Sequence, residues 1–150
     1  LLKRLLKLRK IDLGEIVDIK QLQQINLETI KKLNEFLLQN NIKYFLDAGT
    51  LLGAVRHNGF IPWDDDIDVV MPREDYEKFI NEFNVDGYYT VTCLKDNKYY
   101  LPFGKVCRSD TLKVEEVYKK AKNDYGFCID VFPMDYVESS DEFLKRKKKD

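Results

Sequence analysis

The chain has 150 residues, of which 44% are hydrophobic and 34% charged, with a formal net charge of -1. That length suits one compact domain, and that balance suits a water-soluble globular protein rather than a low-complexity or collagenous one. The near-neutral charge supplies no global basic field for gripping nucleic acid, and no apolar run is long enough to span a bilayer.

The opening segment, Leu1 to Lys10, alternates leucines with cations and lacks the apolar stretch of a signal peptide. It reads as a helix packed on the domain, with a basic amphipathic helix in peripheral contact with a membrane surface as the other reading. Leu22, Ile25, Ile30, Leu33 and Leu37 continue at helical spacing, and Asn40-Asn41 supplies a stop, so residues 1-40 form an N-terminal helical segment. Ile42 to Leu46 reads as a strand. Gly49 ends it, and Thr50 is positioned to cap a short helix through Leu51, Leu52, Ala54 and Val55. Asn58-Gly59 is a turn signal, and Pro62 interrupts regular structure.

Asp66 to Met71 reads as a second strand, stopped by Pro72, and Arg73 to Phe83 as a helix with Tyr76, Phe79, Ile80 and Phe83 on one side. Tyr88 to Leu94 and Tyr99 to Cys107 read as strands joined by a turn at Asp96-Asn97. Gly126 precedes a strand from Phe127 to Phe132 that Pro133 is expected to end. Glu142 onward reads as helix, and the run Lys145 to Asp150 as its solvated face. The order implies a single α/β (α+β) domain over 1-150, built on one mixed sheet flanked by helices. Cys93, Cys107 and Cys128 are odd in number, widely spaced and without a CxxC pair, which excludes a zinc knuckle and a thioredoxin-like motif. Reduced thiols in a cytosolic protein are the expectation.

The informative segment is Trp63-Asp64-Asp65-Asp66-Ile67-Asp68-Val69-Val70-Met71. Alternation along a strand projects Asp66 and Asp68 from one face and sends Ile67 and Val69 into the core. Asp64 shares their parity but lies nearer the loop, as a secondary candidate, and Asp65 has the opposite parity. Adjacent carboxylates repel and raise one another's pKa, so a fold that gathers them normally supplies a cation. Hard oxygen ligands favour magnesium or manganese over zinc. The bland alternative is an acidic turn in water, but acids that merge into an apolar strand are not what a solvated loop requires.

Gly49-Thr50 adds a second element. A small residue opening a helix lets backbone N–H groups approach a phosphate, although an ordinary cap is the simpler reading of the pair alone. A strand, Gly-Thr, a short helix and a strand bearing Asp-Ile-Asp match the nucleotidyltransferase pattern shared with the DNA polymerase β superfamily. That pattern places a third acid on a later strand. Asp130, within Phe127-Cys128-Ile129-Asp130-Val131-Phe132, is the candidate, because a charge amid such neighbours is rarely buried unpaired. A salt-bridged structural role is its alternative. Asp135, beyond Pro133, is weaker.

Two longer motifs carry a family resemblance. The run from Tyr44-Phe45-Leu46-Asp47-Ala48-Gly49-Thr50 to Trp63-Asp64-Asp65-Asp66-Ile67-Asp68, and the later Gly126 to Asp135, resemble the LicD family, which includes bacterial phosphocholine transferases and is related to fukutin and fukutin-related proteins. The similarity covers roughly residues 25 to 137. It implies transfer of a phosphorylated alcohol, phosphocholine first, from a CDP-linked donor such as CDP-choline to a hydroxyl of a glycan or glycolipid, with release of CMP. Lipopolysaccharide or teichoic acid precursors are the expected acceptors, and the cytoplasm, at the inner face of the membrane, the expected compartment. One or two magnesium (or manganese) ions on Asp66, Asp68 and Asp130 would neutralise phosphate oxygens and activate the acceptor hydroxyl. Gly49, Thr50, Arg56, Lys105 and Arg108 are the expected nucleotide and phosphate contacts. Lys105 and Arg108 have opposite strand parity, so both facing one phosphate would require a bend near Ser109, and Lys105 is the better contact.

His57, the only histidine, reads as a turn residue or substrate contact rather than a base. Trp63 is expected to pack the loop that aims the acids. For a quaternary ammonium substrate, Trp63, Tyr99, Tyr100 or Phe103 would furnish an aromatic cage, although such rings are more often core. Two competing readings are a metal-dependent nucleotide-sugar glycosyltransferase with an Asp-Xaa-Asp motif, and a nucleotide-binding fragment without turnover. The chain is short for the family, so acceptor-binding segments are expected beyond Asp150 as part of a longer enzyme.

Overall fold

The computed structural model describes residues 17–113, 125–137 and 139. The expected helices at the start of the chain and after Glu142, with the terminal charge run, lie outside the described residues. Helix α1 (Ile19–Gln39) opens on a reciprocal cap: Gln21 N donates to Asp18 Oδ1 at 2.9 Å and Asp18 N to Gln21 Oε1 at 2.7 Å. It stops where expected, with Asn40 as cap and Asn41 at a φ of 53°. There follow β1 (Phe45–Leu46), α2 (Ala48–His57), β2 (Asp68–Pro72), α3 (Arg73–Glu82), β3 (Tyr88–Val91), β4 (Gly104–Arg108) and β5 (Cys128–Met134).

The strands form one mixed sheet in the order β1-β2-β5-β4-β3. β2 and β5 run parallel; the other neighbours are antiparallel. One face carries Val69, Met71, Val106, Ile129 and Val131, all buried against Leu33 and Leu37 of α1 and Phe79 and Ile80 of α3. Burial of this apolar set is the main stabilising term. Gly104 belongs to the same face: a Cβ there would meet Tyr76 Oη at 3.0 Å and Ile80 Cδ1 at 3.1 Å, so glycine lets α3 lie close to β4.

Several strands are shorter than expected or displaced. Of Ile42 to Leu46 only Phe45 and Leu46 pair; β2 starts at Asp68, β3 ends at Val91 and β4 starts at Gly104. Aromatic and β-branched composition extends past the hydrogen-bonded ladder at each of these ends. Pro133 does not end β5 but lies inside it, opposite Met71. Asp130 N donates towards β2, to Ile67 O at 2.9 Å, so Pro133, three residues on, turns its missing N–H to the other side. There β4 has no residue left to pair, since Gly104, its first, is matched with Val131.

The cysteines also depart from expectation. Cys107 and Cys128 are directly opposite in the β4–β5 register and form a disulfide, while Cys93 is free and exposed. A sequence separation of 21 hid a pair that the sheet makes adjacent.

Candidate active site

The face of the sheet opposite the helix-packed core carries the candidate site residues. In register, Asp68 of β2 lies beside Asp130 of β5, and Asp130 beside Lys105 of β4, so the three form a row across three strands. Their sequence neighbours Val69, Val131 and Val106 point into the core, which fixes the row on the other side. The Lys105 ammonium donates to Asp130 Oδ1.

The first turn of α2 is stitched to this row. Asp68 N donates to Thr50 Oγ1 at 2.9 Å, and Asp47 N to Asp68 O at 3.0 Å. Thr50 is therefore not the helix cap; Asp47 holds that position, and the hydroxyl of Thr50 grips the start of β2 instead. The chain enters the helix through Ala48 at a φ of 43°, a left-handed conformation that costs a non-glycine residue about 1–2 kcal/mol.

Asp64, Asp65 and Asp66 precede β2 as an irregular loop, so strand parity does not separate them. Each offers a carboxylate oxygen within 4.8 Å of the others, which brings Asp65 back into the acidic group. Helix α1 holds this loop. Gln23 Nε2 donates to Ile61 O at 3.2 Å and to Asp64 O at 2.7 Å, and Asn26 Nδ2 to Asp65 O at 2.8 Å. Asn26 is 2% exposed, whereas Trp63, expected to pack the loop, is 76% exposed. The Asp64 carboxylate lies over Gly49, where a Cβ would come within 2.7 Å of Asp64 Oδ2.

Crowding leaves an electrostatic signature. Burial, followed by the charges of Asp66, Asp130, Asp47 and Asp64, pushes Asp68 up to about 6. Asp66 is raised by burial first, then by its hydrogen bond and charge contact with Asp64 and by the charges of Asp65 and Asp130. Six carboxylates thus share one region with the ammonium of Lys105. A set of hard oxygen donors gathered this closely, with Asp66 and Asp68 raised by burial and then by their neighbours' charges, fits a divalent cation such as magnesium.

Other expected site residues stand apart from the row. Arg56 and His57 are exposed on the last turn of α2. Arg108 lies on the opposite face of β4 from Lys105, bound to Glu28 at 3.0 Å and Asp110 at 2.7 Å. Asp135 makes a bidentate pair with Arg73, both contacts at 2.7 Å. Beside the row opens a cleft of about 320 Å³, lined by Asp66, Lys105 and Asp130 together with Tyr99, Tyr100, Phe103 and Tyr125. Phe103 packs on Phe132 with ring centroids 4.4 Å apart.

The model of the LicD/FKTN/FKRP nucleotidyltransferase domain matches residues 41–149. The chain belongs to that family. An uncharacterised protein of Rickettsia typhi is 34% identical over 125 residues, covering 81% of this chain and 38% of its own length. The lipopolysaccharide cholinephosphotransferase LicD of Haemophilus influenzae is 43% identical over 63 residues, or 42% of this chain and 24% of the relative. Human ribitol 5-phosphate transferase FKRP is 42% identical over 48 residues, 32% of this chain and 10% of the relative. The chain thus spans less than two fifths of the length of these relatives. No helix among the described residues is long and apolar enough to cross a membrane.

Gln23, Asn26 and Asp47 are the site residues that composition and spacing did not single out. A signal for Asn26 was present: it is an amide in the buried stripe of α1 that also holds Thr29, Leu33 and Leu37.

Proposed function

We propose that this LicD-family chain transfers a phosphorylated alcohol from a CDP-linked donor to a glycan or glycolipid hydroxyl, releasing CMP. The observation that carries the reading is the row Asp68, Asp130 and Lys105, with Asp66 beside it, on the face of a nucleotidyltransferase-type sheet that the helices leave open. Phosphocholine is the favoured group, since the match to the cholinephosphotransferase LicD is longer than that to the ribitol 5-phosphate transferase FKRP.

Asp66, Asp68 and Asp130 would hold magnesium or manganese, and Asp64, packed over Gly49, extends the same donor set. The bound ion would neutralise phosphate oxygens and favour departure of CMP. Lys105 brings a positive charge to the edge of the row, where a phosphate oxygen competes with the Asp130 carboxylate for it. Asn26 and Gln23 keep the acidic loop at a fixed height above the sheet. The cytoplasmic face of the membrane is our proposed compartment, and the Cys107–Cys128 bridge counts against it, since disulfides are rare in the cytosol.

The test is magnesium-dependent CMP release from CDP-choline, CDP-ribitol and CDP-glycerol, with a glycan acceptor present. Asp66→Asn and Asp68→Asn should each abolish release while the circular dichroism spectrum is kept. Sugar transfer that liberates a nucleoside diphosphate, or near-normal turnover in the double variant, overturns the reading.

A further inference from the structure

The aromatic cleft beside the acid row contains a group that the fold does not use. Tyr99 lines the cleft and is 4% exposed, yet among the described residues its buried hydroxyl has no hydrogen-bond partner. A buried hydroxyl left unsatisfied costs about 1–3 kcal/mol, so such groups are rare without a reason. The neighbouring phenol shows the usual arrangement: Tyr125 Oη donates to Asp96 Oδ2 at 2.9 Å. The Tyr99 ring is itself well fixed, edge-on to Phe103 at 6.5 Å and to Tyr125 at 6.0 Å. Its backbone N donates to Asp96 O at 3.0 Å. The hydroxyl is therefore held in place without being satisfied.

We propose that this cleft seats the nucleoside half of the donor, with the Tyr99 hydroxyl as its hydrogen-bond donor. The inference rests on the transferase reading above and assigns one part of its substrate to one part of the site. Three features favour the nucleoside half. Tyr100, 64% exposed, brings an aromatic ring to the cleft beside Phe103, and a flat base stacks on such a ring whatever its identity. Lys105 and Lys113 line the same cleft, beside the carboxylates of Asp66 and Asp130, and give a phosphate cationic partners. The cavity, about 320 Å³, lies at the small end of ligand sites and holds a nucleoside rather than a whole donor. Asp66 and Asp130 at its edge put the phosphates of such a nucleotide next to the acid row. The base carbonyl or a sugar or phosphate oxygen would accept from Tyr99.

Calorimetric titration of the full chain with CMP, CDP-choline and phosphocholine, in magnesium, tests the assignment on two phenol-to-phenyl variants. Tyr99→Phe should weaken CMP and CDP-choline about five- to ten-fold, the worth of one hydrogen bond to a ligand oxygen, and leave the melting temperature unchanged or raised. Tyr125→Phe should lower the melting temperature, because it breaks the bond to Asp96, and leave CMP affinity within about two-fold. A Tyr99→Phe protein that binds CMP as the parent does overturns the proposal. So does one that melts lower, as a structural hydrogen bond would require, or one that loses affinity for phosphocholine alone. Failure of the parent chain to bind either CMP or CDP-choline would remove the transferase reading together with this one. Normal parent binding with no effect of Tyr99→Phe removes only this one.

Discussion

Replacing Asp68 with asparagine should act in opposite directions on stability and on metal response. In the folded chain Asp68 is raised from 3.8 to about 6, chiefly by burial and then by the neighbouring carboxylates. A carboxylate whose folded pKa lies above its unfolded value contributes stability at low pH. That contribution is fully present below about pH 4 and is lost as the pH rises through about 6. Two units correspond to roughly 3 kcal/mol at face value, and partial exposure reduces that to about 1–2 kcal/mol after solvent screening. Asp68→Asn keeps the shape, accepts no charge and relieves its neighbours. At pH 7.5 in EDTA it should melt about 3–6 °C above the parent, and at pH 4.5 at the same temperature. Adding manganese should raise the parent's melting temperature at pH 7.5, much less at pH 4.5, and that of the variant hardly at all. Thermal melts by circular dichroism over pH 4.5 to 8, with EDTA or manganese, read all of these arms. A variant that melts below the parent at pH 7.5 in EDTA, or that responds to manganese as the parent does, refutes the reasoning from a half-buried carboxylate among like charges.

Three further substitutions or measurements address the supports of the row. Asn26→Leu fills the same space but drops the donor to Asp65 O, so calorimetry should show manganese binding about ten-fold weaker in a chain that still folds; an unaltered Kd removes Asn26 from the site. Gly49→Ala puts a methyl group against the far end of the Asp64 side chain. Stability should change by less than about 1 kcal/mol while CMP release falls at least about ten-fold, and normal release shows that Asp64 takes no part. Thiol titration of the denatured, unreduced protein should find Cys93 alone, and all of Cys93, Cys107 and Cys128 only after reduction. Reactivity of all three before reduction refutes the bridge.

What local pattern can show, it showed. Alternation placed Ile67 and Val69 in the core and Asp68 on the opposite face, and it singled out Asp130 as a charge in an apolar strand. It failed where strands were longer in composition than in hydrogen bonding, as at Asp66 and at Tyr99 to Phe103. The grouping of Asp65 with Asp64 and Asp66 was missed for that reason: a parity rule was applied to a loop. Pairings between distant strands leave no local trace. The contacts of Lys105 with Asp130, Cys107 with Cys128 and Asn26 with Asp65 O arise only when β4, β5 and α1 meet. The family motif carried Asp47, Gly49 and Thr50 as a block without their separate tasks. The structure divides them into cap position, space for Asp64 and anchor for Asp68.

The order β1-β2-β5-β4-β3 bears on how such a chain is made. The strand that closes the sheet, β5, is the last of the five in sequence, yet it lies between β2 and β4. Until it arrives, β1–β2 and β3–β4 are two separate ladders, each with an open edge. Long-range parallel pairing forms late, since loop closure precedes the contacts that reward it. Insertion of β5 therefore joins the ladders and, in the same event, delivers Asp130 between Asp68 and Lys105. A chain caught before that step has neither a finished sheet nor a finished acid row. Completion of the row thus coincides with completion of the sheet, whereas the Asp64-Asp65-Asp66 loop, held by α1, precedes β5 in the chain.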